Sequence, residues 1–207
     1  MSMEIWFTFL CASILLSIIP GAGAISTMSN TIKHGFKTTL VGNLGLQTGN
    51  LINIIIVGAG LGALLAESET AFSVIKWGGV LYLIYLGYQK FQEAGTIHLD
   101  QTNTVTTSYS RLFTKAVIVN ITNPKSIMFL VALLPQFLTP TGSHWYQLTL
   151  LGSTMIVVDL VVMVGYSLLA TRLMRVVKDA RRMKLQNQIF GSLFIGAGTL
   201  LSFSRHH

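Results

Sequence analysis

A single cysteine, Cys11, stands in a chain of 207 residues. That excludes an internal disulfide, a dithiol redox pair and a cysteine-based zinc site. Charge is almost as scarce: Asp, Glu, Lys and Arg make up 10% of the chain, against 51% hydrophobic residues and a mean hydropathy of +0.62. A soluble fold could not hide this composition, so the chain reads as an integral membrane protein. The histidines, His34, His98, His144, His206 and His207, all fall in loops or at the C-terminus. With no nucleophile–base pair and no metal-ligand spacing, an intramembrane enzyme is not expected, and neither a cofactor nor a metal is implied. The formal charge of +7 does not point to nucleic acid, because the basic residues gather in the connections between apolar segments. No Lys or Arg precedes the first apolar run, so Ala22-Gly23-Ala24 is not expected to be a signal-peptidase site.

What the chain does have is apolar length. A spanning helix needs about 20 mostly apolar residues, and six such stretches occur, at 5–27, 39–66, 71–91, 112–137, 145–170 and 188–204. The expected fold is an all-α integral membrane protein of six transmembrane helices. Three connections are basic: Lys33 and Lys37 in the first, Lys90, Arg111 and Lys115 around the second, and Arg172, Arg175, Lys178, Arg181, Arg182 and Lys184 in the third. The positive-inside rule makes these cytoplasmic and puts both termini outside. Trp6, Trp77 and Trp145 then fall near the outer ends of the first, third and fifth helices. An odd number of spans per half gives the halves opposite orientations. Residues 1–91 and 112–207 therefore read as the arms of a 3+3 inverted repeat, joined by a cytoplasmic linker at 92–111. The basic stretch 171–187 is expected to lie along anionic headgroups.

Prolines are few, and two of them interrupt apolar segments. Ser17-Ile18-Ile19-Pro20-Gly21-Ala22-Gly23-Ala24 breaks the first span, and Asn120-Ile121-Thr122-Asn123-Pro124-Lys125-Ser126 breaks the fourth. A proline has no N–H to donate and clashes with the carbonyl four residues back, so it frees backbone groups that must be satisfied within the membrane. Two interrupted spans at corresponding places in two halves point to the binding site of a secondary transporter. Half-helix N-termini there suit a carboxylate, and freed carbonyls suit an ammonium group, so a zwitterionic amino acid fits both.

The candidate site residues are Pro20, Gly21, Asn120, Asn123, Pro124 and Lys125 at the breaks, with Asn43, Gln47 and Asn50 aligned on one face of the second span. The amide face either lines a polar path or bonds neighbouring helices as structural glue. On another face of that span, Gly42, Gly45 and Gly49 allow a neighbouring backbone to come close. Lys125 either snorkels to the interface or finds a carboxylate, a carbonyl or water. Asp159 is the only acid in the interior of a span. It is a candidate for proton exchange, since a carboxyl whose surroundings change with conformation can take up a proton in one state and release it in the other. The bland alternative is a static ion pair with Lys125 that only holds helices together. Tyr82 and Tyr85 in the third span are expected to pack, and Gly191, Gly196 and Gly198 in the sixth to mark close helix contact.

Taken in order, these motifs resemble the lysine exporter superfamily, in the branch that contains the homoserine and threonine exporters. The likeness covers essentially the whole chain. It rests on Pro20-Gly21, Gly42 to Gly49, Gly79-Val80-Leu81-Tyr82-Leu83, Tyr85-Leu86-Gly87, Asn123-Pro124-Lys125, Pro135-Gln136-Phe137 and Asp159. The resemblance implies an exporter of amino acids or close derivatives in the bacterial inner membrane, with efflux driven by the proton gradient. Its partners would be the amino acid, protons and membrane lipid. One departure is Ala22, where family members commonly carry the second proline of Pro-Gly-Pro, and a less rigid break is expected from it. An uncoupled channel for small polar solutes would use the same polar faces, and a structural membrane protein is the bland alternative. The oligomeric state is left open, a homodimer included.

Overall fold

Proline sets the first helix boundary. In the computed structural model the described residues are 1–67, 108–139 and 142–172, with scattered positions between 77 and 92 and between 181 and 199. Helix α1 covers Met3–Ile18 and begins at Ser2, whose side chain accepts from the Ile5 amide. Ile19, just ahead of Pro20, is extended at φ −71°, ψ 115°, because a following proline ring disfavours helical backbone. Helix α2, Ala22–His34, restarts with Gly21 as its N-cap, and it is bent by 52° from α1.

The same device recurs in the other half. Helix α4 covers Tyr109–Ile121, and Asn123 is extended at φ −73°, ψ 109° ahead of Pro124, the first residue of α5, Pro124–Phe137. A proline tolerates that position because the first helical N–H has no intrahelical partner. The bend here is 54°. Both interruptions expected from the sequence are therefore present. The Ala22 departure does not abolish the first of them.

The long helices frame these pairs. Helix α3, Phe36–Glu67, follows α2 through Gly35 alone, at φ 81°, ψ 166°. Essentially only glycine adopts that conformation. Helix α6 covers His144–Leu168. By length and apolar composition Phe36–Gly60 and His144–Leu168 can each cross a membrane, and each bent pair can supply one further crossing. Phe7, Leu15, Leu51, Ile55, Ile56, Val157 and Val161 are exposed on these helices, a surface that suits lipid and not water. The chain is thus a helical membrane protein. Most of the expected spans at 71–91 and 188–204, Tyr82, the linker as far as residue 107 and most of 171–187 lie outside the described residues. Among the scattered positions, Gly87 and Gly191 face each other, and a Cβ on Gly87 would come within 2.7 Å of the Gly191 carbonyl oxygen; Gly196, by contrast, faces open space, and Tyr85 is exposed where packing was expected.

The broken pairs run antiparallel with their breaks side by side. The Phe9 ring of α1 lies 5.9 Å from Phe129 and meets Phe137 edge-on at 5.1 Å, both on α5. Ala24 and Met28 of α2 cluster instead with Ala116 of α4. Two apolar clusters result. One joins Phe9, Leu16, Ile54, Leu130, Leu134 and Leu151, and the other joins Met28, Leu46, Ala116 and Met163. A polar layer lies between them. Lipid gives helices little hydrophobic reason to associate, so close packing matters more. A Cβ on Gly45 would come 2.5 Å from the Phe113 carbonyl oxygen, and one on Gly49 would come 2.8 Å from the Asn120 Cβ. These two glycines let α4 lie directly on α3. Gly42, expected on the same face, is opposite Asn30 of α2 with space to spare.

Candidate functional site

A helix leaves its last four carbonyls without intrahelical partners, and inside a bilayer no bulk water reaches them. α1 ends in that situation. Lys125, one residue into α5, answers it: its Nζ donates to the Leu16 carbonyl at 3.0 Å and to the Ile19 carbonyl at 2.9 Å. A cation at this end also meets the negative pole of the helix dipole. The Tyr166 hydroxyl on α6 donates to the Ile18 carbonyl at 2.5 Å. Of the options open from the sequence, Lys125 therefore takes carbonyls. Its stem passes over Gly21, where a Cβ would lie 3.3 Å from Nζ and 3.4 Å from Cε. Asn123 fixes the start of α5, its Oδ1 accepting from the Lys125 amide at 3.1 Å.

Asp159 has neutral partners of its own. Its Oδ2 accepts from Gln47 Nε2 at 2.8 Å and from Asn50 Nδ2 at 3.3 Å, and Asn50 Nδ2 also donates to Gln47 Oε1 at 2.9 Å. Asn50 Oδ1 is buried with no hydrogen-bond donor. The face of three amides expected on this helix thus divides. Asn43, fully buried, accepts from Thr27 Oγ1 at 2.9 Å and donates to Ser167 Oγ at 3.2 Å. It ties α2, α3 and α6 together, as the structural-glue alternative describes.

Asn120 is a fastener between α4 and α3. Its Nδ2 donates to the Leu46 carbonyl, its Oδ1 accepts from Ser126 Oγ at 3.0 Å, and its own carbonyl accepts from Asn53 Nδ2 at 3.2 Å. Asn53 and Tyr166 were not singled out in the sequence. Asn53 continues the ridge of Asn50 three residues on, and Tyr166 carries a polar tip inside an apolar run. Those were the available signals.

A small cavity of about 20 Å³ lies between the breaks, room for one water. Lys125, Asn120, Asn123 and Ser126 line it from the second break, Gly23 and Ala24 from the start of α2, and Asp159 and Met163 from α6. α2 has no side-chain cap, so its first N–H groups remain available beside the cavity. Gln47 and Asn50 stand behind Asp159, while Pro20, Gly21 and Pro124 shape the breaks. The cavity volume is too small for an amino acid, so the breaks must part to admit one. Among the described residues no three His, Cys, Asp or Glu side chains converge as a metal would need.

Known proteins share this sequence over its full length. The family profile described as LysE type translocator matches residues 14–205. A homoserine/homoserine lactone efflux protein of Salmonella typhimurium is 49% identical over 206 residues, covering 100% of both chains. A Vibrio cholerae protein described only as an uncharacterized membrane protein is 41% identical, over 99% of this chain and 100% of the other. A leucine efflux protein of Salmonella choleraesuis is 24% identical, over 95% and 94% of the two chains. No solved structure matches.

Proposed function

The chain belongs to the LysE type translocator family, making it a membrane transporter and not an enzyme, and on that premise we propose that it exports homoserine and closely similar amino acids by proton antiport. The observation that carries this reading is the meeting of two broken helices around one small cavity lined in part by polar and charged side chains. At that cavity stand a lysine, an acid and an uncapped helix N-terminus.

A zwitterion needs an anion seat and a cation seat at close range. The start of α2 and the Lys125 ammonium form the first, because free N–H groups and a positive dipole end favour a carboxylate. The carbonyls at the end of α1 form the second. Asp159 exchanges the proton. Its amide partners can serve either protonation state: as described, both donate to the carboxylate. A half-turn of each amide leaves Gln47 bonded to Asn50 and presents Gln47 Oε1 to a protonated Asp159. Proton uptake is then answered by two rotations and needs no new charge.

The antiparallel placement of the broken pairs supports a 3+3 inverted repeat of six spans, with the two arms rocking about the breaks. The basic connections support a reading with both termini outside in a bacterial inner membrane and 171–187 along anionic headgroups. Asn43 and Asn120 act on the site indirectly, by holding the helices that carry it.

The test is counterflow. Proteoliposomes loaded with unlabelled homoserine, threonine or leucine should transiently accumulate the labelled compound, and a pH gradient of the right sign should enhance net flux. Asp159→Asn should abolish the response to the gradient and keep exchange. An uncoupled channel would show flux without counterflow, and failure of Asp159→Asn to fold would favour a purely structural acid.

A further inference from the structure

We infer that Lys125 is a built-in stand-in for the substrate's ammonium group, a tethered cation that occupies the α1 carbonyl seat and has to leave it when an amino acid enters. This rests on the transport reading above and goes further, because it assigns a specificity mechanism to that site.

The chemistry is like for like. A lysine Nζ and the α-ammonium of an amino acid are the same group, a compact cation with three donors. Nζ already makes the two bonds such a group would make, to the Leu16 and Ile19 carbonyls. The seat is built for it. Pro20 and the extended Ile19 end α1 there: the Leu16 carbonyl accepts only the Ile19 amide, at 3.2 Å, and keeps a lone pair for a cation, while the Ile19 carbonyl meets no following turn; Gly21 leaves the stem its path, since a Cβ would stand 3.3 Å from Nζ. Yet Lys125 also lines the cavity, beside the start of α2. A carboxylate arriving there draws the ammonium toward itself, and the vacated carbonyls then accept the substrate's own ammonium. One substrate with both charges completes this exchange of partners. A substrate with only a cation must compete with Lys125, and one with only an anion strands the carbonyls, at the cost of burying unpaired polar groups.

The competition has a measurable size. If the seat is free only about a tenth of the time, a cation-only ligand binds about tenfold more weakly than the bare seat would allow. Wild-type protein, Lys125→Met and Gly21→Ala are titrated in nanodiscs with three probes: homoserine, homoserine lactone, which has the ammonium but no carboxylate, and N-acetylhomoserine, which has the carboxylate alone. Thermal unfolding checks that each protein is folded. Wild type should prefer homoserine. Lys125→Met keeps an apolar stem without the charge and should bind the lactone about tenfold more tightly and homoserine more weakly, so that the order inverts. Gly21→Ala keeps the charge but crowds Nζ, and it should give a smaller gain for the lactone. If Lys125→Met does not fold, Gly21→Ala decides alone. Lactone binding that is unchanged or weaker in every folded variant, with homoserine still bound by wild type, overturns the stand-in and leaves Lys125 a plain carboxylate ligand. Wild type that binds none of the three probes would instead overturn the substrate reading itself.

Discussion

Tyr166 has one polar atom, and it reaches the Ile18 carbonyl across the helix interface. Together with Lys125 it closes the end of α1, so three of its last carbonyls, from Leu16, Ile18 and Ile19, are held by side chains from other helices. Tyr166→Phe removes one of these bonds and leaves the carbonyl buried. We expect a loss of about 1–3 kcal/mol, read as a lower unfolding temperature in detergent, together with slower counterflow because α1 is less firmly placed against Lys125. Single residues were the hardest part to read from sequence. Asn43, Gln47 and Asn50 share a helix face and a functional-group chemistry, yet one meets Thr27 and Ser167 while the others meet Asp159. That division follows from which residue of α6 stands opposite each level of α3. Spacing along α3 holds no information about it. Lys125 was legible as a costly charge needing a partner, but its choice of carbonyls depends on α5 crossing the end of α1.

At the level of elements the sequence was far more informative, because proline acts locally. Ile19 and Asn123 are extended for the same steric reason, and the helices part at both places. Pro135 shows the limit of the rule: it lies inside α5, which ends two residues later at Phe137, so the bond it removes falls in a turn that is already terminating. Ala22 is the informative departure. It is the first residue of α2, and Gly21 before it is extended at φ −117°, ψ −166°. Both conditions suit a proline at 22. Ala22→Pro should therefore stabilise the protein by roughly 0.4–1 kcal/mol through the unfolded chain, measurable as a raised melting temperature with the break retained. A destabilised variant would mean that the Ala22 amide makes a contact the protein depends on.

Across the whole molecule, two apolar clusters grip the broken pairs on either side of the polar layer. The cavity between them is narrow, at about 20 Å³. Ser126, buried within it, reports on opening. In Ser126→Cys, a membrane-impermeant maleimide should label slowly in the resting protein and several-fold faster when substrate is supplied, from one face at a time. Equal and rapid labelling from both faces would mean a continuous pore. The antiparallel relation of the two pairs was foreseeable from an odd number of spans per half. The narrowness of the cavity was not, since it depends on how far four helix halves approach one another.

The grip of Lys125 on the end of α1 also bears on the unloaded half of the cycle. An exchanger has to pick up a second cargo before it can go back, because its empty site is electrostatically incomplete. Here the protein brings its own positive charge to the bare carbonyls. On the proposed reading of Lys125, an unloaded molecule turns around without dragging an amino acid home, and that freedom is what would separate net disposal of a metabolite from one-for-one trading.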